Sequence, residues 1–179
     1  MNILGISGSL REKSLNRALL RAALERIGSA AEVSEADIGS LPHYNSDIDG
    51  DQKPHSVQRF IDQVNRADAL LIATPEYNYS FPGVLKNAID WASRPAYRSP
   101  LAKKPTGILG ASMSPVGSAR AQSHLRQVLS GTVTPVFPYP DFLAGAAHTK
   151  FAASGALTDA STEEHLAKYV DAFLQWIGS

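Results

Sequence analysis

Apolar positions change their spacing several times along this chain, and each change marks an element. Ile3-Leu4-Gly5-Ile6 is continuous, as in a strand covered on both faces, and the first strand is read over Asn2–Ser7. From Ser14 the apolar residues Leu15, Ala18, Leu19, Ala22, Ala23 and Ile27 fall at a helical period that Gly28 ends. Ala31 to Asp37 has Val33 as its strong apolar residue, with Ile38 following, and reads as an edge strand. Gly39 to Pro54 is rich in Gly, Pro, Asp and Asn, the composition of a long surface loop, and its Leu41–Asn45 segment carries an aromatic suited to packing over a neighbouring site. Val57, Phe60, Ile61 and Val64 mark a second helix with Ser56 near its start. Ala69–Thr74 is the clearest buried strand. Pro82 fits the first turn of a third helix, carried by Leu85, Ala88, Ile89 and Ala92 and ended before Pro95. After a loop from Pro95 to Pro105, Thr106–Ala111 is a fourth strand. Ala121, Leu125, Val128 and Leu129 form a fourth helix, and Val133–Phe137 is the expected fifth strand. A Gly/Ala/Ser-rich excursion from Phe142 to Ser161 leads into a closing helix with Leu166, Tyr169, Val170, Phe173, Leu174 and Ile177 on its apolar face.

The order is strand and helix in strict alternation, five of each, without an internal repeat or a dividing linker. Such alternation predicts an α/β fold: a parallel sheet with helices on both faces and right-handed crossovers. Five strands suggest a flavodoxin-like three-layer sandwich of order 2-1-3-4-5, with its ligand crevice at the switch point between strands 1 and 3. Residues 1–179 are expected to form a single domain, a length that suits one sizeable core.

Charge and composition remove several classes. Lys+Arg and Asp+Glu both number 17, so there is no basic excess of the kind a non-specific nucleic-acid binder carries. The chain has no cysteine, which excludes disulfides, thiolate catalysis and cysteine-ligated metals and is compatible with a reducing cytoplasm. The five histidines, His43, His55, His124, His148 and His165, show no metal-ligand spacing. No apolar run approaches the ~20 residues that span a bilayer, and the N-terminus lacks the pattern of a secretory leader. A cytoplasmic protein acting on small molecules, without nucleic-acid or membrane partners, is the expectation.

Chemistry concentrates in three loops that the topology carries to the carboxyl edge of the sheet. Gly8–Asn16 lies between a strand and a helix and is small, hydroxyl-rich and basic. A helix N-terminus offers unpaired N–H groups and about half a positive charge. Ser9 and Ser14 add hydroxyls, Asn16 an amide and Arg11 a forked cation suited to a phosphate dianion. Pro75–Phe81 offers aromatic and amide groups that match the face and edge of a flat heterocycle. Ser112–Gly117 is small enough for backbone N–H groups to approach ligand carbonyls. Together they describe a phosphorylated aromatic cofactor across the sheet edge. Neither a P-loop nor the Gly-x-Gly-x-x-Gly spacing occurs, so ATP or GTP hydrolysis and a Rossmann dinucleotide site are disfavoured. The absence of a Gly-x-Ser-x-Gly elbow argues against a hydrolase.

These residues also carry a family likeness. Gly8-Ser9-Leu10-Arg11-x-x-Ser14-x-Asn16, Thr74–Asn78, Lys86–Trp91, Ser112-Met113, Gly117–Arg120 and His124–Leu129 resemble the NAD(P)H-dependent FMN reductases, a group that includes bacterial quinone and chromate reductases. The likeness runs to about Phe142. It implies bound FMN, NADPH or NADH as hydride donor, quinones or similar small molecules as acceptors in a ping-pong scheme, and a homodimer or dimer of dimers. By the same resemblance Ser9, Arg11, Ser14, Leu15 and Asn16 hold the phosphate and ribityl chain. Pro75, Glu76, Tyr77 and Asn78 border the isoalloxazine ring, and Ser112 meets its pyrimidine end. No side-chain catalyst is implied, since the cofactor carries the chemistry. Glu76 is expected to act through its backbone or a structural hydrogen bond rather than as a base. Arg120, in a first helical turn where the dipole disfavours a cation, calls for an anionic partner, either a nucleotide phosphate or a neighbouring subunit. Trp91 reads as core or interface. Two other classes compete: a flavodoxin-type electron carrier, against which the balanced charge and Arg11 stand, and a non-catalytic FMN-binding module.

Overall fold

The computed structural model describes residues 1–178 and contains the five parallel strands in the order 2-1-3-4-5. β1 (Asn2–Ser7) lies between β2 (Glu32–Ala36) and β3 (Ala69–Ala73), followed by β4 (Thr106–Ala111) and β5 (Phe142–Ala144). Adjacent strand residues point to opposite faces, so each of the inner strands β1, β3 and β4 supplies two cores. Leu4, Ile6, Leu70, Ile72 and Ile108 face one layer, built from α2 (His55–Arg66), α3 (Gly83–Ala92) and α4 (Ala119–Gly131). Ile3, Leu71, Leu109 and Phe142 face the other, built from α1 (Leu15–Ile27) and α5 (Ala160–Ile177). Helices on both faces bury the inner strands on either side, which is why those strands read as unbroken apolar runs. β2, on the sheet edge, keeps Val33 exposed, as its weak pattern predicts.

Local chemistry sets several element ends. Ser14 caps α1, its Oγ accepting from the Arg17 N–H at 3.2 Å, and Gly28 ends the helix at a positive φ of 53°. Pro82 sits one residue before α3 rather than in its first turn. Asp159 caps α5 through the Thr162 N–H, so that helix begins six residues before Leu166, the first of its buried apolar positions. The Tyr169 hydroxyl then donates to the Ile108 carbonyl and accepts from the Ile108 N–H, fastening α5 to β4. Burial pushes that phenol well above its ordinary pKa.

The fifth strand is not Val133–Phe137. Val133 takes a positive φ of 60°, and this segment holds a single bridge, between Val136 and Thr106. Pro135, Pro138 and Pro140 lack the N–H groups a ladder needs. The pairing passes to Phe142–Ala144, opposite Leu109–Ala111, inside the stretch whose small residues suggested an excursion. The Leu41–Asn45 segment is strapped to α3 rather than laid over a ligand site. Asn87 accepts from the Tyr44 N–H and donates to the Pro42 carbonyl, which also accepts from the Trp91 indole. Trp91 is a core residue, fully buried and in edge contact with Tyr44.

Candidate functional site

The loops after β1, β3 and β4 leave the sheet at its carboxyl edge, and the structure shows how each is held. The first, Gly8–Ser14 leading into α1, starts where the Gly8 N–H donates to the Ala73 carbonyl of β3 at 2.8 Å. Beyond Ser9 its backbone turns away from protein acceptors. Among the described residues, the N–H groups of residues 10–16 have no acceptor. Ser9 is buried, yet its hydroxyl has no partner within the described chain. Arg11 and Lys13 are exposed and form no ion pair among the described residues. Unpaired backbone donors at a helix start, an unpartnered hydroxyl and a free guanidinium suit a phosphate dianion. Ser14, Leu15 and Asn16 lie where the loop becomes helix. The hydroxyl of Ser14 already accepts from Arg17, leaving its proton available.

Asn16 behaves differently from its neighbours. The residue is 4% exposed, and its side chain makes a reciprocal pair with Ala111 at the end of β4: Oδ1 accepts from the N–H at 2.9 Å and Nδ2 donates to the carbonyl at 2.8 Å.

The second loop, Pro75–Phe81, is closed on itself. Tyr77 and Ser80 exchange both backbone hydrogen bonds, at 2.8 and 3.0 Å. Asn78 and Tyr79 between them have φ of 50° and 68°, the geometry of a type I′ turn. Pro75 is buried, while Tyr77, Asn78 and Tyr79 are exposed. Glu76, with a side chain 7% exposed, turns inward and joins this loop to α4. The N-cap of that helix, Ser118, makes no capping bond with its own side chain, and Glu76 replaces it. One carboxylate oxygen accepts from the N–H groups of Arg120 (3.0 Å) and Ala121 (3.3 Å), and the other accepts from Arg120 Nε (2.6 Å) and Nη2. Burial pushes the Glu76 carboxyl up, but the Arg120 side chain, the Ala121 N–H and the Arg120 charge together outweigh it and hold the group below its ordinary value of 4.5. Arg120 therefore finds its anion within its own chain, and its guanidinium also lies 4.0 Å from the centre of the Tyr79 ring. His124 Nδ1 sits 3.2 Å from Ser80 Oγ.

The third loop is organised around Ser112. Its N–H donates to the Ala144 carbonyl of β5, its carbonyl accepts from Ala147, and its hydroxyl accepts from the Ser114 N–H. The Ser112 N–H is thus engaged, whereas the Met113 N–H has no acceptor among the described residues. The chain turns back into α4 at Gly117, where φ is 68° and a Cβ would lie 3.0 Å from that of Leu143. Gly110, just before the loop, admits Ser118, whose Oγ would lie 1.5 Å from an alanine methyl at that position. Neither Met113 nor the pairing of Glu76 with Arg120 was named from the sequence as part of the site. The one sequence signal for that pairing was a cation in a first helical turn.

A parallel 2-1-3-4-5 sheet with unpaired backbone donors after β1 and a preformed aromatic loop after β3 is flavodoxin-like in architecture. Comparison with known proteins narrows the class. Residues 1–149 match the profile of the NADPH-dependent FMN reductases. An NAD(P)H-dependent FMN reductase of Pseudomonas aeruginosa is 45% identical over 177 residues, covering 99% of this chain and 95% of that protein. A quinone reductase of Pseudomonas putida is 40% identical over 172 residues, covering 96% and 92%. The solved structure of FerB, a flavoenzyme NAD(P)H:(acceptor) oxidoreductase from Paracoccus denitrificans, superposes with a TM-score of 0.91 at 38% identity, covering 99% of this chain and 97% of FerB. The chain belongs to the NADPH-dependent FMN reductase family. It is an FMN-dependent NAD(P)H oxidoreductase. Among the described residues no cluster of His, Asp or Glu could hold a metal, and no helix is long and apolar enough to cross a membrane.

Proposed function

We propose that this protein passes reducing equivalents from NAD(P)H to quinones, holding FMN across the three edge loops. The observation that carries the proposal is the open run of backbone donors at residues 10–16, beside the unpartnered Ser9 hydroxyl and the free Arg11. These groups would hold the phosphate and ribityl chain, with Ser14 adding its hydroxyl proton and Leu15 and Asn16 their N–H groups. Pro75, Glu76, Tyr77 and Asn78 would form the wall beside the ring. Ser112, through its hydroxyl, and Met113, through its N–H, would face the pyrimidine end and oppose charge developing there, in the manner of an oxyanion hole. When bound, FMN would supply the two-electron redox chemistry that links the nicotinamide to the acceptor. The protein's own part is to bind, orient and stabilise charge, without a side-chain nucleophile.

A quinone suits the rim of this site. Leu10, Tyr77, Tyr79, Met113 and Val116 are exposed around it, and the nearby Arg120 charge is neutralised by Glu76. A flat, uncharged acceptor gains from such a surface, and the P. putida relative is named a quinone reductase. In this reading residues 1–179 are one FMN-binding domain that works in the cytoplasm as a homodimer or dimer of dimers. The same exposed aromatic rim supports assembly, and a monomer by light scattering at micromolar concentration would count against it. The central test is steady-state NAD(P)H oxidation by the FMN-loaded protein, with and without a quinone. Turnover that depends on both is expected. A yellow protein that oxidises neither NADPH nor NADH with any quinone would sink the proposal.

A further inference from the structure

We infer that Asn16 is a positioning residue whose side chain sets the β4 loop against the phosphate loop, and that this side chain, unlike the residue's backbone N–H, serves the ring end of the flavin rather than the phosphate. The inference rests on the FMN reading above and concerns how that site is built. In the sheet, β3 and β4 stay paired through Ala73 and Leu109, and the Thr74 N–H still donates to the Leu109 carbonyl at 2.9 Å. The next groups of β4 on that side are the N–H and C=O of Ala111. In a regular parallel ladder they would find partners further along β3. Here β3 has ended at Ala73 and its chain turns off after Thr74, so no further backbone group of that strand pairs with Ala111.

The primary amide of Asn16 fills that position. It offers one acceptor and one donor in the spacing of a peptide group, and Ala111 uses both, at 2.9 and 2.8 Å. The pair is buried and joins residues 95 apart in sequence. An unpaired Ala111 backbone at this depth would carry the penalty of a buried, unsatisfied amide. The two ends of the strut lie at two different parts of the site. Asn16 sits in the first turn of α1, amid the open donors of residues 10–16. Ala111 directly precedes Ser112 and the free Met113 N–H. Asn16 thus fixes where the β4 loop starts relative to the phosphate loop, and its carboxamide is engaged before any ligand arrives.

The test separates the ends of the ligand by titrating full-length apoprotein with FMN and with riboflavin, which lacks the phosphate. Asn16→Ala is expected to weaken both by a similar factor, roughly tenfold for the loss of two buried hydrogen bonds. A phosphate ligand would behave otherwise: FMN affinity would fall while riboflavin affinity stayed the same, and that result overturns the inference. A residue of purely structural importance would lower Tm and leave both dissociation constants unchanged well below the transition, and that too overturns it. A measurement on the unaltered protein holds even where the variant fails to fold. In the apoprotein the Ala111 amide should exchange with solvent as slowly as core strand amides, and exchange at loop rates refutes the strut. Unaltered protein that binds neither flavin would overturn the FMN reading itself, a separate outcome.

Discussion

The loop after β1 and the loop after β3 meet at the same sheet edge and prepare for a ligand in opposite ways. The first leaves the backbone donors of residues 10–16 without acceptors and its arginine unpaired. The second closes its own hydrogen bonds between Tyr77 and Ser80 and buries the Glu76 carboxylate against the start of α4. On the proposed reading, one is a concentrated electrostatic demand that an anion would satisfy, and the other is a wall already in place. Binding energy for the cofactor should come mainly from the first, through charge-assisted bonds. Its orientation should come from the second, whose shape does not wait for the ligand. The difference teaches that an exposed basic residue at this edge is no guide to which loop does what. Arg11 is free and suits a phosphate, whereas Arg120 is already paired within the chain.

The largest expected effect breaks the electrostatic half of that contrast. Arg11→Ala should weaken FMN binding by roughly ten- to a hundredfold, since a hydrogen bond to a charged group is worth ~1.5–3 kcal/mol, while riboflavin binding stays the same. Fluorescence titration with both flavins measures this, and equal losses for the two would remove Arg11 from the phosphate. Glu76→Gln attacks the preformed wall. It should cost about 1–2 kcal/mol, a fall of roughly 2–8 °C in Tm, and should weaken riboflavin as well as FMN. The pH dependence follows from the depressed carboxyl of Glu76. Its folded-state value lies below the unfolded 4.5, so its contribution is complete above pH 4.5 and is lost as pH falls through the lower folded value. Thermal melts from neutral pH downward should show an extra loss of stability below pH 4.5 that the glutamine variant lacks. An identical slope in both proteins would show that the clamp does not titrate in this range.

The smallest effect sharpens the account of the turn. Tyr79 holds a left-handed conformation that costs an ordinary residue roughly 1–2 kcal/mol, and Tyr79→Gly would create the Asn-Gly pair that type I′ turns favour. The change also removes the ring beneath Arg120, a contact worth ~0.5–1 kcal/mol when exposed. These nearly offset each other, so Tm should move by no more than ~4 °C. KM for a quinone should nevertheless rise about twofold or more, because an exposed aromatic is gone from the rim. An unchanged KM would place the acceptor elsewhere.

Much of this was legible in the order of residues. Continuous apolar runs at Ile3–Ile6 and Ala69–Thr74, alternating with amphipathic helices, already specify a parallel sheet covered on both faces. The topology of such a sheet brings the three chemically unusual loops to one edge. The Ser14 cap and the Gly28 stop are local contacts, and local contacts leave local signatures. The fifth strand shows the limit. Val133–Phe137 has the better strand composition, but Pro135 within it, Pro138 and Pro140 just after it and a left-handed Val133 deny it a ladder, and the three-residue Phe142–Ala144 takes the edge.

What tertiary structure alone decided are the pairings between residues far apart. Glu76 caps a helix that begins 43 residues later in the chain, and Asn16 replaces a strand partner for Ala111 across 95 residues. Neither pairing has a period or a spacing rule, because each exists only where the sheet brings two chain ends into register and leaves a backbone group without a neighbour. The kinds of residue at the edge, and hence the kind of ligand, were set by the sequence. Which of those residues remain free to meet that ligand was settled by the fold, since a buried polar group takes the first partner that packing supplies.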